Sequence, residues 1–318
     1  MRKIAAILSD YDGTLCPTSS VKGSEGNTAA IPEDLDNILW NISEKIPVCI
    51  VSSKDFYFLH KRTKFANIVS CILGIETIVL KRHDRRQQQQ RLIKTMDNNN
   101  NNNNNISKSS DCDNNFNCIK DAHLLVDNEV LEVNSIILDS LAKEISSDFK
   151  QVNIERKFTT TNKKILTAIT VDWRHLADWK SFKVNSEPLL KKTIKKQQQL
   201  KLSDISSSSL YTQTYATHPF IDVYAVKCDK GRAFDSITSK LPPPIIGDKA
   251  EGIMYLGDSE NDNPAFKKAD VSVGVFSDKR LNPELDCEYT INFNELPLFL
   301  GQLYDKEFVF SPRTLDKK

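Results

Sequence analysis

The sequence predicts an α/β fold built on a parallel-sheet core with an inserted α+β domain, and three observations predict it. Short apolar runs end in acidic, glycine-containing turns near both ends of the chain, at residues 4–13 and 253–262. Helical periodicity follows the first run and leads to another, which is the rhythm of βαβ units. That rhythm breaks between residues 81 and 221, where strand and helix patterns mix, and then resumes. The expected division is a core of residues 1–80 and 222–318 carrying residues 81–221 as an insertion, and 318 residues suffice for about two domains.

The elements follow in order. Residues 4–8 form the first strand, continuous in apolar side chains as a buried parallel strand requires. Pro32 in a first turn, Glu33 and Asp34 beside it, and Leu35, Ile38, Leu39 and Ile42 at 3.6-residue spacing predict a helix. Strands are expected at 47–52 and 68–73, the latter ended by Gly74. Inside the insertion, residues 129–138, 151–158, 165–171 and 212–215 are predicted as strands, and 136–146 and 181–200 as helices. A helix from about Arg232, strands at 253–256, 271–275 and 289–291, a helix through Pro264-Ala265-Phe266 and a closing helix at 296–303 complete the core. Pro242-Pro243-Pro244 reads as a loop. Residues 97–117, rich in Asn and almost without apolar side chains, cannot recover the entropy of ordering and are expected to be a mobile loop with no catalytic role.

The first strand runs into Asp10-Tyr11-Asp12-Gly13-Thr14. Side chains two apart on an extended chain share a side, so Asp10 and Asp12 converge, and two close acids repel unless a divalent cation relieves them. Gly257-Asp258-Ser259-Glu260-Asn261-Asp262 repeats the pattern after a second strand. Two such clusters meet at the carboxyl edge of a parallel sheet, where α/β proteins place ligands, and oxygen-only donors suit Mg²⁺.

These residues resemble the motifs of the haloacid dehalogenase superfamily of phosphohydrolases. Asp10-Tyr11-Asp12-Gly13-Thr14 matches the first motif, Asp-x-Asp-Gly-Thr; Ser52, ending an apolar strand, matches the second; Lys230 before Gly231 matches the third; and Gly257 to Asp262 matches the last. The four occur in the family's order over most of the chain. The resemblance implies a Rossmann-like core with a type IIB cap, the class of trehalose-phosphate, sucrose-phosphate and mannosyl-3-phosphoglycerate phosphatases and of phosphomannomutases. It further implies that Asp10 attacks phosphorus to form an aspartyl-phosphate and that Asp12 acts as acid and base. Mg²⁺ is held by Asp10, the Asp12 carbonyl and Asp258, with Asp262 supporting that shell. Ser52, Lys230 and the amides around Gly13 bind phosphate, and Asn261 is a weaker candidate for orienting the last loop. Ser52-Ser53-Lys54 departs from the Ser-Gly-Arg common in trehalose-phosphate phosphatases and is nearer the mannosyl-3-phosphoglycerate enzymes.

The expected activity is thus a Mg²⁺-dependent phosphomonoesterase acting on a phosphorylated sugar. Three rivals are a phosphomannomutase-like phosphotransferase, a phosphoglycolate phosphatase and a non-catalytic sugar-phosphate binder, the last disfavoured by the joint presence of Asp10, Asp12, Lys230 and Asp258. A net charge of +1 calls for neither nucleic acid nor an anionic membrane as partner. Seven scattered Cys residues without a Cys-x-x-Cys pair, and no run of roughly 20 apolar residues, predict reduced thiols in a soluble, cytoplasmic protein. His175 and His218 lack zinc-ligand spacing. Lys191, Lys192, Lys195 and Lys196 read as a solvated helix face, and Asp172-Trp173-Arg174-His175 as a strand-end turn with a half-buried Trp.

Overall fold

A computed structural model describes residues 2–17, 30–81, 117–160, 164–200, 210–215, 218–242, 251–277, 285–312 and 315–317. The Asn-rich stretch, up to residue 116, lies outside the described residues, as do Pro243 and Pro244.

The centre of the molecule is a large sheet whose inner strands are buried apolar runs. Strand β1 (Arg2–Ser9) is wholly buried from Ile4 onward. It is flanked by parallel β2 (Val48–Val51), leading to β3 (Ile68–Cys71), β4 (Glu76–Leu80) and β5 (Ile119–Leu124). On its other side lie β10 (Glu251–Gly257), β11 (Val271–Phe276), β12 (Tyr289–Asn292) and β14 (Asp316–Lys317), while β13 (Val309–Phe310) pairs with the start of β1. The strands from β12 through β3 are parallel, and the edges are antiparallel. Continuous burial is what a parallel sheet covered on both faces demands. Helices α1 (Glu33–Ser43) and α7 (Leu296–Asp305) share one apolar layer with Ile4 and Ile7. Helices α5 (Lys230–Thr238) and α6 (Asn263–Phe266) share the other with Ala6, Leu8 and Tyr255.

A second, four-stranded antiparallel sheet has the order β6 (Asn153–Phe158), β7 (Leu166–Asp172), β9 (Phe220–Tyr224), β8 (Tyr211–Thr214). Helix α3 (Asn128–Asp148) packs on its apolar face and against α4 (Trp179–Leu200). Strand β5 lies in the 81–221 segment yet extends the large sheet, and the small sheet runs past Ile221 to Tyr224. Residues 129–138 are helical, not a strand: β-branched Val130, Val133, Ile136 and Ile137 suggest β structure, but the buried set Leu131, Asn134, Leu138, Leu141 and Ile145 repeats at three to four residues and forms one helix face. Among the described residues no two cysteines form a disulfide, and no helix is long and apolar enough to cross a membrane.

Candidate active site

Parallel pairing of β1 with β2 and β10 sets three strand ends side by side. Ser9 pairs with Ile50 and with Leu256, so Asp10, Ser52 and Asp258 all emerge at one carboxyl edge. The Asp10 amide donates to the Leu256 carbonyl at 2.9 Å, holding the first acid against the strand that carries the last motif. Gly13 turns the chain with φ +85°, and a Cβ there would lie 2.0 Å from Asp258 Oδ2, so only glycine lets the two acidic loops meet.

Asp10, Asp258 and Asp262 offer carboxylate oxygens within 4.8 Å of one another. Lys230 enters from the first turn of α5, whose N-terminus is capped by Asp229 accepting from the Arg232 amide. Its Nζ lies 3.1 Å from Asp10 Oδ1 and 2.7 Å from Asp262 Oδ1. Asp262 is fully buried and saturated with donors. Oδ1 also accepts from the Tyr255 hydroxyl at 2.7 Å, and Oδ2 accepts from the amides of Asp258 (3.1 Å) and Ser259 (3.0 Å) and from the Ser259 hydroxyl (3.1 Å). It therefore ties Lys230 and the loop to the strand end.

Burial pushes the Asp10 carboxyl up to about 7, with Lys230 pulling it back and Asp262 and Asp12 adding repulsion. Asp258 is pushed well above the carboxylate range by burial first, then by the charges of Asp10 and Asp262. Burial works against the charge on Lys230, yet Asp10, Asp262 and Asp258 raise it above the ordinary lysine value. Buried carboxylate oxygens within 4.8 Å of one another are hard ligands that fit a divalent cation of the Mg²⁺ type.

Asp12 stands apart from this cluster, partly exposed on the turn and bridged to Cys16 through the backbone. Ser52 is buried at the end of β2, its Oγ accepting from the Lys54 amide at 3.1 Å. Thr14 Oγ1 reaches Asp258 Oδ1 at 3.4 Å. Asn261 does not touch the carboxylates; its Oδ1 accepts from Gln213 Nε2 of the small sheet at 2.7 Å.

The small sheet closes over this edge. Lys54 Nζ donates to both Glu155 oxygens at 3.2 and 3.3 Å, Asp55 Oδ2 accepts from the Phe158 amide at 3.3 Å, and Glu76 Oε1 accepts from the Thr160 amide and hydroxyl at 2.8 Å each. Glu155 and Gln213 are not among the residues the motifs single out, and contacts between the two sheets bring them here. The Asp172-Trp173-Arg174-His175 turn differs from its sequence reading: Trp173 is fully buried, and Arg174 is clamped by Asp172 (Nη2 to Oδ2, 2.6 Å) beneath the Phe220 ring.

No protein-family model matches the chain, and no curated protein matches its sequence. Solved structures do share its fold. A trehalose-6-phosphate phosphatase related protein is 15% identical with a TM-score of 0.55, over 95% of this chain and 97% of that one. The C-terminal domain of trehalose-6-phosphate phosphatase from C. albicans is 17% identical with a TM-score of 0.57, over 96% and 93%. A haloacid dehalogenase-like hydrolase from Bacteroides thetaiotaomicron is 12% identical with a TM-score of 0.50, over 95% and 100%. At these identities the likeness is one of fold, and function rests on the site.

Proposed function

We propose that this protein is a Mg²⁺-dependent phosphomonoesterase that removes phosphate from a sugar through an aspartyl-phosphate on Asp10. The observation that carries the reading is Lys230 held between Asp10 and Asp262 beside Asp258, all buried at the carboxyl edge of a parallel sheet. The proteins of like fold named as phosphatases and hydrolases agree with it. The large sheet is the catalytic core and the small sheet with its two helices the cap, β5 counting with the core and β9 with the cap.

Asp10, Asp258 and the Asp12 carbonyl would hold Mg²⁺, and the ion, when bound, offsets charge on the transferring phosphoryl group. Asp10 is aimed by its amide hydrogen bond to Leu256 and attacks phosphorus in line. Lys230 faces the same oxygen and neutralises the phosphate. The Ser52 hydroxyl, fixed at the neighbouring strand end, donates to a phosphate oxygen. Asp12, less buried than Asp10 and outside the carboxylate cluster, is the group able to exchange a proton, first with the leaving alcohol and then with the attacking water. Asp262 braces Lys230 rather than ligating the ion, because each of its oxygens already accepts from protein donors.

Phosphate release from a panel of sugar phosphates, with Mg²⁺ and with chelator, tests this. The expected result is metal-dependent release that Asp10→Asn abolishes while leaving the fold intact. Full activity of Asp10→Asn would refute it.

A further inference from the structure

Just past β3 the backbone is strained. Ile72, Leu73 and Gly74 follow one another with φ of +51°, +54° and +92°, in the left-handed region that β-branched residues seldom occupy. Such outliers persist only where the surrounding structure enforces them. Among the described residues the other non-glycine residues with positive φ are Glu307 and Phe308, and they have an ordinary cause. They close helix α7: the Phe308 amide donates to the Leu303 carbonyl at 2.8 Å and the Glu307 amide to the Tyr304 carbonyl at 3.0 Å, a common left-handed helix end. Ile72 follows a strand and has no helix to close, and both it and Leu73 are fully buried.

The contacts of this turn supply the cause. Its first two amides donate side by side into the loop after β2, Ile72 to the Lys54 carbonyl at 3.0 Å and Leu73 to the Ser52 carbonyl at 2.9 Å. Successive amides of an extended strand point to opposite edges, so a continuing β3 could reach only one of these carbonyls. The Ser52 amide donates in turn to the Ser70 carbonyl at 3.0 Å, and both backbone groups of Ser52 are thereby tied to β3 and its turn. The third residue meets the helix that carries Lys230. A Cβ on Gly74 would lie 2.9 Å from the Cα and 3.0 Å from the nitrogen of Ala233, three residues along α5 from Lys230. Ser236 on the same helix donates to the Thr77 hydroxyl at 2.8 Å, and Thr77 shares a hydrogen bond with Ser70 at 3.0 Å.

Ser52 and Lys230, the two side chains assigned to phosphate, stand on separate elements, and this turn is their common support. We propose that the Ile72-Leu73-Gly74 turn is a positioning device that fixes Ser52 and Lys230 relative to each other, so that both grip one phosphoryl group. The inference rests on the phosphomonoesterase reading of the site and deepens it. The turn offers phosphate no group of its own and acts only through those two side chains. The carboxylates are held elsewhere, Asp10 by its amide on the Leu256 carbonyl at 2.9 Å and Asp258 by its amide on Asp262 at 3.1 Å. Disturbing the turn should therefore weaken phosphate binding and spare the metal.

The test is inhibition by inorganic phosphate of p-nitrophenyl phosphate cleavage by the full chain, measured beside the Mg²⁺ concentration for half-activation. In Gly74→Ala the new Cβ must gain about 0.5 Å on Ala233 to reach ordinary contact. A 1 Å misplacement costs about 100-fold, so the Ki for phosphate and the KM should each rise about tenfold, with the Mg²⁺ requirement changed less than about twofold. A variant that is merely less stable shows neither rise. Glu307→Gly, in the helix-closing turn, is the control and should leave Ki unchanged. Where Gly74→Ala does not fold, Ala233→Gly takes its place, loosening the same contact from the helix side and raising Ki about threefold. An unchanged Ki in the folded variant, or a Mg²⁺ requirement that rises as much as Ki, overturns this inference and leaves the phosphatase reading standing. Wild-type protein that does not cleave p-nitrophenyl phosphate overturns both.

Discussion

Gly13→Ala is the sharpest perturbation the site offers. The residue sits at φ +85°, where an L side chain costs about 1–2 kcal/mol of backbone strain. The larger effect is steric. An added Cβ would meet Asp258 Oδ2 at 2.0 Å and Cγ at 2.5 Å, so the Asp258 carboxylate must retreat by about 1.4 Å to reach ordinary van der Waals contact. Asp258 cannot swing away freely, because its amide is tied to Asp262 at 3.1 Å and its side chain meets Thr14 and Asp10. A misplacement of about 1 Å in a catalytic group costs about 100-fold in rate. Gly13→Ala should therefore lower kcat about 100-fold or more and weaken Mg²⁺ affinity, while denaturant unfolding shows a loss of only about 2 kcal/mol. Steady-state phosphate release over a Mg²⁺ titration, with urea melts in parallel, measures all three. Turnover within threefold of wild type would show that the two acidic loops do not act together.

Asp262→Asn should destabilise the protein by about 3 kcal/mol, since an amide cannot accept from five donors and leaves Lys230 half-paired; urea unfolding reads the loss. Tyr255→Phe removes one of those donors alone and should cost about 1 kcal/mol with kcat changed less than about tenfold, a larger fall placing the hydroxyl in the chemistry. The Asp10 carboxyl, raised from 3.8 to about 7 by burial before any neighbouring charge, is protonated in the folded, metal-free protein where the unfolded chain is ionised. Its stabilisation is complete below the unfolded value and is lost as pH rises to about 7, so the Tm of chelated protein should fall between about pH 4 and pH 7, and saturating Mg²⁺ should flatten the fall. A chelated Tm that rises over that window would contradict the buried-pair geometry.

The core strands were legible because parallel strands covered on both faces are unbroken apolar runs, and β1 and β10 each end in acids that nothing in a core would tolerate without a partner. The helix at 128–148 was misread in its first half because β-branched composition outweighed a 3.6-residue pattern visible only over its whole length. Strand β5, Ile-Lys-Asp-Ala-His-Leu, carries little apolar signal because it is the edge of the large sheet and none of its residues is fully buried. The contribution of the small sheet was hidden for a different reason. Glu155 and Gln213 reach the site through contacts between the two sheets, which bring together residues 54 and 155, and 213 and 261, and no local spacing encodes those pairs. Asp262 shows the same limit at short range: its place beside Asp258 is readable, but its five donors come from four residues on three elements.

The most direct measurement is to trap the enzyme during turnover of a sugar phosphate with Mg²⁺, quench in acid and locate the phosphoryl group by peptide mass spectrometry. A phosphoryl group on Asp10, absent from Asp10→Asn and lost on further incubation with water, is the predicted result. Rapid turnover with no label on the Asp10 peptide, or label on another residue, would contradict Asp10 as the nucleophile.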